Sequence, residues 1–245
     1  MAQSIDRLLG TGARAEVFEY GDRVIKLYRS PDGKEPAFRE AAIQAAVEDL
    51  GLPIPAVWSV LQIDGRWGVV FDRVTEASFA DRMRENPNII PTYIEEMARL
   101  HADIHSHTAP QLASLKLTLA SRIAAVTLIT EERKAALLNG MTGMPDGDRL
   151  CHYDFHPQNI LGSTVHPVVI DWPNACRGDP AADVCRAYLI MRLHAEPIAE
   201  PYIEAYCRTS TLRRDAIISW LPYVAAGRLT ENIAGETDRL VAMSR

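Results

Sequence analysis

Asp154, Asn159 and Asp171 stand close together in sequence and are of the kinds that handle a substrate and a cation. Four residues separate Asp154 from Asn159, and Asp171 follows twelve positions after Asn159. At that spacing one carboxylate can face a substrate while an amide oxygen and a second carboxylate converge on a cation. Mg²⁺ takes hard oxygen donors, usually only one or two carboxylates, and completes its shell with phosphate and water. Asn159 and Asp171 make such a sparse ligand set.

All three lie within residues 149–172, RLCHYDFHPQNILGSTVHPVVIDW. A short apolar strand leads into a polar loop over 152–159. An apolar step at Ile160 and Leu161, a turn at Gly162 and Ser163, and a second apolar strand over 168–170 then end on Asp171. Polar side chains gathered at strand ends and in the joining loop are poor core material and good site material.

His152-x-Asp154-x-x-x-x-Asn159, followed by Asp171, resembles the catalytic loop and metal-binding pair of protein-kinase-like enzymes. The fuller string HYDFHPQNIL…VIDW is similar to the aminoglycoside phosphotransferase and choline kinase branch. In that branch a His stands two places after the catalytic Asp, here His156. A bulky residue, here Trp172, follows the second metal Asp where protein kinases have Phe-Gly. Tyr153 stands where the branch usually has a small Gly. The resemblance implies Asp154 as the catalytic residue, Asn159 and Asp171 as ligands of Mg²⁺, and a protein-kinase-like two-lobe fold.

The N-terminal stretch must then supply a nucleotide lobe. Residues 8–29, LLGTGARAEVFEYGDRVIKLYR, give three short strands divided by Gly10-Thr11-Gly12 and by the hairpin signal Gly21-Asp22. Gly10-x-Gly12-x-x-Ala15-x-Val17 approximates the Gly-rich phosphate-covering loop of kinases, with Ala15 in place of the third Gly; a plain hairpin accounts for it equally. Lys26 is a charged residue inside an otherwise apolar strand, so it either lies on a wet face or meets an anion. By resemblance it is the strand lysine that orients nucleotide phosphates.

Residues 29–36 read as a turn-rich linker, and AFREAAIQAAVEDLG as a helix closed by Gly51. Glu40, Ile43, Val47 and Leu50 fall on one helical stripe, so Glu40 shares the packing face and calls for a partner. Lys26 is the obvious one, Arg39 or solvent the alternative. Residues 56–63 and 67–71, joined by Asp64-Gly65, make another hairpin. Five strands and one helix thus account for the chain to about residue 72. By resemblance residues 72–75, DRVT, are the hinge whose backbone holds the nucleobase, which divides the chain into a nucleotide lobe over 1–74 and a helical catalytic and substrate lobe over 75–245.

Beyond the hinge the periodicity turns helical. Ile90, Tyr93, Ile94, Met97, Leu100 and Ile104 repeat at helical spacing. On that helix His101 and His105, four apart, have the spacing of a zinc pair, but Ala102 stands where a metalloprotease motif needs Glu, so ordinary helix histidines are the better account. Two further helical segments occupy 111–140. Asp179 and Pro180 open another helix as N-cap and first helical residue. Asp183, one turn in, is either an acid favoured by the helix dipole or, by resemblance, the carboxylate that braces the catalytic-loop backbone. Helices are expected again around 202–207, 217–226 and 229–243.

Composition sets bounds. The 245 residues suffice for one large domain or two modest lobes, and 47% hydrophobic with 24% charged residues is ordinary for a globular protein. A net charge of −6 is a poor match to nucleic acid or an anionic membrane and leaves room for a cationic substrate. The N-terminus lacks the apolar core of a secretory signal, and no stretch has the roughly 18 apolar residues of a membrane span. Four cysteines without paired zinc spacing read as reduced structural residues of a cytoplasmic protein.

The sequence therefore leads to these expectations. The fold is α+β and protein-kinase-like, with a small five-stranded antiparallel N-lobe carrying one helix and a mainly helical C-lobe. The function is transfer of the γ-phosphate of a nucleoside triphosphate, ATP ahead of GTP, to a hydroxyl of a small acceptor, with aminoglycosides and amino alcohols among the candidates. Asp154 would act on the acceptor hydroxyl, Lys26 and the turn at Gly10 and Gly12 on the phosphates, Glu40 on Lys26, and Asn159 and Asp171 on Mg²⁺. A metal-dependent phosphoester hydrolase leaves Lys26 and the N-terminal strands without a task. A catalytically silent nucleotide-binding module is the other rival, with Tyr153 and Ala15 in its favour.

Overall fold

A computed structural model describes residues 5–245. The chain forms two compact units. One comprises the chain through Phe79 together with Gln158–Pro173, and the other comprises Ala80–Pro157 with Asn174–Arg245. Residues 158–173, placed in the helical lobe by sequence, cluster with the N-terminal strands.

The first unit is built on a five-stranded antiparallel sheet of β1 (Leu8–Thr11), β2 (Ala15–Tyr20), β3 (Arg23–Tyr28), β4 (Val57–Ile63) and β5 (Arg66–Asp72), in the order β1-β2-β3-β5-β4. Helix α1 (Lys34–Glu48) follows β3 and packs on β5 and β4. It begins earlier than the sequence suggested, because Pro36 sits in its first turn, where a missing N–H costs nothing. Side chains alternate along β3. Ile25 and Leu27 bury with Val70 against Phe18 and Leu61, whereas Tyr28 joins Ala15, Ala37 of α1, Val69 and Phe71. Lys26 shares the Tyr28 face, so the strand's period turns it toward α1.

The second part of this unit is a small hairpin of β7 (Ile160–Gly162) and β8 (Pro167–Val169), with Ile160 opposite Val169. It is tied to the rest of the unit by Gly162 N–H to Ala77 C=O (3.0 Å) and Val169 N–H to Pro53 C=O (2.8 Å).

The second unit contains β6 (Arg149–Cys151) and β9 (Cys176–Gly178), which pair antiparallel with Cys151 opposite Cys176. Its helices, in chain order, are α2 (Phe79–Glu85), α3 (Ile90–Ser106), α4 (Leu115–Ala125), α5 (Glu131–Thr142), α6 (Pro180–His194), α7 (Glu196–Thr209), α8 (Arg214–Ile218), α9 (Leu221–Arg228) and α10 (Thr237–Met243). Helix α6 is buried from Ala181 to Met191 and packs on α7, α8 and α9, while α3 packs on α7. A helix buried on all sides is the expected centre of such a bundle. Asp179 caps it, accepting the Ala181 N–H at 3.0 Å.

The single helix expected over 229–243 is instead a 3-10 turn, Leu229–Glu231, and the short α10. Asn232 (φ 52°) and Gly235 (φ 82°) take left-handed backbone between them, which ends a right-handed helix. No helix among the described residues is long and apolar enough to cross a membrane.

Candidate active site

In the first unit Lys26 Nζ lies 2.7 Å from Glu40 Oε1 and 2.6 Å from Asp171 Oδ1. Glu40, only 2% exposed, also accepts the Tyr28 hydroxyl. The strand period, the buried stripe of α1 and the end of β8 thus deliver three side chains to one point. Burial pulls the Lys26 ammonium downward, but the Glu40 and Asp171 carboxylates outweigh it and raise its pKa. Burial and Glu40 together push the Tyr28 phenol up, so it stays a donor.

Asn159 closes a 3-10 turn, Pro157–Asn159, immediately before β7. Its carbonyl accepts the Ile170 N–H at 2.9 Å, so the β7–β8 ladder sets Asn159 beside the residue before Asp171. Asp171 itself takes left-handed backbone, φ 66°, uncommon outside glycine, and it is a conformation that functional positions retain at some cost. An amide oxygen and a carboxylate oxygen are hard donors in the small number that Mg²⁺ accepts, and the Asp171 side chain is 38% exposed. The donor set fits Mg²⁺.

Gly10 lies in β1, and Gly12 opens the following turn, where its N–H donates to Ala15 C=O at 2.9 Å. A Cβ at Gly10 would meet nothing within 4 Å, and one at Gly12 would meet only the Ala15 carbonyl at 3.5 Å. Packing within the chain therefore does not demand glycine at either place.

Asp154 belongs to the second unit, in the loop after β6. His152 Nδ1 accepts the Asp154 N–H at 3.2 Å, and His156 Nε2 lies 4.0 Å from Asp154 Oδ2. His152 is fully buried and holds the loop by this backbone contact. Asp183 resolves in favour of the brace: Oδ2 accepts the His152 N–H at 2.7 Å and Oδ1 the Tyr153 N–H at 2.9 Å.

The two helix histidines complete that brace. His101 Nε2 and His105 Nε2 lie 3.1 and 3.2 Å from Asp183 Oδ2, and their Nδ1 atoms 2.5 and 2.7 Å from the Tyr202 and Tyr206 hydroxyls. Burial, then the neighbouring His105, pulls His101 down to about 3, so it is neutral. Burial raises Asp183, but the two imidazoles outweigh it and hold its carboxyl well below the usual range. With the Tyr202 phenol raised by burial and protonated, the neutral His101 imidazole is the Nε2–H tautomer, accepting from Tyr202 and donating to Asp183. Three side chains of metal-ligating type meet here, and hydrogen bonds within the protein account for their facing atoms.

Sequence reasoning had no access to Tyr28, Tyr202 or Tyr206 as site residues, since each is apolar in pattern and polar only at its tip. The pairing of His101 and His105 was visible, but not their partner Asp183.

The model of the phosphotransferase enzyme family matches residues 7–217. A thermostable mutant of aminoglycoside phosphotransferase APH(4)-Ia, solved with ADP and hygromycin B, superposes with TM-score 0.71 at 16% identity, covering 98% of this chain and 90% of that one. Aminoglycoside-3'-phosphotransferase of type VIII gives 0.65 at 17% identity over 92% and 93% of the two chains. LicA in complex with AMP gives 0.64 at 15% over 98% and 88%. No curated sequence matches the chain. The chain belongs to the phosphotransferase enzyme family, with the protein-kinase-like fold. It is a small-molecule phosphotransferase.

Proposed function

We propose that the protein transfers the γ-phosphate of MgATP to a hydroxyl of a small acceptor. The Lys26–Glu40–Asp171 cluster carries the reading: a cation held charged by two carboxylates, one of them buried and one partly exposed, is equipment for nucleotide phosphates and their metal. A metal-dependent phosphoester hydrolase that takes no nucleotide leaves Lys26 without a task. Phosphoryl transfer passes through a loose transition state, so the protein chiefly positions reactants and neutralises charge.

Lys26 binds the phosphates and Glu40 fixes Lys26. Asn159 and Asp171 would hold Mg²⁺, which would neutralise charge on the nucleotide phosphates. Asp154 accepts a hydrogen bond from the acceptor hydroxyl and aligns it; the hydroxyl oxygen bonds to the γ-phosphorus as the bond to the β–γ bridging oxygen breaks and ADP leaves, and because the transition state is loose the hydroxyl proton passes to Asp154 late. His152, Asp183, His101 and His105 keep the Asp154 backbone in place. Gly10 and Gly12 leave the first turn open for close approach of a phosphate.

Hygromycin B and streptomycin in the related structures support an aminoglycoside or similar hydroxylated amine as acceptor, and the negative net charge agrees. Four free cysteines support a reducing compartment. ADP release by MgATP or MgGTP over a panel of aminoglycosides, amino alcohols and sugars tests the reading. Acceptor-dependent release that Asp154→Asn abolishes is expected; release unaffected by every acceptor and by Asp154→Asn contradicts it.

A further inference from the structure

Tyr153 immediately precedes Asp154 and takes left-handed backbone, φ 61°. This conformation suits glycine and is unfavourable for a bulky side chain, so the surroundings must hold it. The Tyr153 ring is buried, 4% exposed. The Arg122 and Arg186 guanidinium carbons lie 5.6 and 5.3 Å from its centroid, within cation–π range.

Those two arginines share one anchor. Glu231 accepts from Arg122 Nη1 (3.2 Å) and from Arg186 Nη2 with both oxygens (2.7 and 2.9 Å), and it also accepts from Arg228 Nη1 (3.0 Å). Glu236 in turn takes Arg228 Nε and Nη2, both at 2.6 Å. Arg186 is 2% exposed, and its Nε and Nη1 have no hydrogen-bond partner among the described residues. Beyond Glu231, the ring face of Tyr153 is therefore what receives this desolvated cation. Burial pulls Arg186 downward, but Glu231, then Tyr153 and Asp154, outweigh it, so Arg186 remains a cation and Asp154 is among the charges that act on it.

We propose that Arg122, Arg186 and Glu231 form a cation–π clamp on Tyr153, and that the clamp is a positioning device for Asp154. Arg122 on α4 and Arg186 on α6 come from separate helices, and Glu231 follows α9, so the strained residue is gripped by elements distant in sequence. The clamp's effect on turnover rests on the kinase reading; its effect on stability does not.

A double-mutant cycle of Glu231→Gln and Tyr153→Gly tests it, because glycine removes both the ring and the cost of φ 61°. For the parent, Glu231→Gln should lower kcat for MgATP turnover by about tenfold with the KM for ATP changed less than about twofold. It should also lower Tm by roughly 4 °C. In the Tyr153→Gly background the same change should cost about twofold or less in kcat, and a clearly smaller drop in Tm. Equal losses in both backgrounds would overturn the clamp, since a merely structural Glu231 acts alike in each. The half-buried Arg122→Gln repeats the cycle from the other side. A parent without ATP turnover refutes the kinase reading, and the Tm cycle still decides the clamp.

Discussion

Lys26 Nζ sits 2.6 Å from Asp171 Oδ1, joining residues 145 positions apart in sequence, while Glu40 holds the same ammonium at 2.7 Å. Two carboxylates on one cation fix the strand, the helix and the end of β8 at a single point. In the proposed function the fixed charge serves the nucleotide; the three-way cluster also serves stability.

The two contributions separate by mutation. Lys26→Met leaves the Glu40 carboxylate buried with Tyr28 as its donor, which should cost about 3–5 kcal/mol. Thermal unfolding should fall by roughly 10 °C, and ATP turnover should be lost. Adding Glu40→Gln should restore much of the stability and none of the turnover. Restored turnover in the double variant would remove Lys26 from the phosphate-binding role.

The buried brace predicts an acid-sensitive fold. His101 is held down to about 3 from an ordinary 6.5, so below pH 6.5 the unfolded chain binds a proton that the native protein refuses. Stability must therefore fall as pH drops through this window, by about 2 kcal/mol at pH 5 from His101 alone. Asp183, also held low, adds loss in the same direction at more acid pH, as its carboxylate protonates. Denaturant unfolding at pH 7 and pH 5 should show this fall, and His101→Gln should flatten it. Equal slopes in the two proteins would rule out the neutral His101.

Much of the site was legible because it follows local periods. Lys26 stood out as a charge on an apolar strand of period 2, and Glu40 as a carboxylate on the packing stripe of a helix. Asp183 left two readings open, because its partners are backbone N–H groups 30 and 31 residues earlier, which no local pattern records. Helix α2 was too short to show a period, and β9, Cys176–Gly178, has only three residues. Over 229–243 one helix was expected, and the left-handed Asn232 and Gly235 overrode it.

The β7–β8 hairpin should govern the metal. Gly162 has φ 99°, and a Cβ there would lie 2.2 Å from the His166 carbonyl oxygen. Gly162→Ala must shift the ladder that sets Asn159 beside Ile170, at a cost above about 1 kcal/mol. In thermal-shift titrations with ATP present, half-saturation by Mg²⁺ should rise by about tenfold. An unchanged Mg²⁺ titration would show that the hairpin does not set the ligand pair.

Transfer to an acceptor hydroxyl leaves a phosphomonoester, which phosphorus NMR distinguishes from inorganic phosphate. Parent protein and Asp154→Asn are incubated with MgATP and the acceptor that most stimulates ADP release. A new phosphomonoester resonance should grow with ADP in the parent and be absent in Asp154→Asn. Inorganic phosphate alone, formed at the same rate with and without acceptor, would contradict it and make the protein a hydrolase.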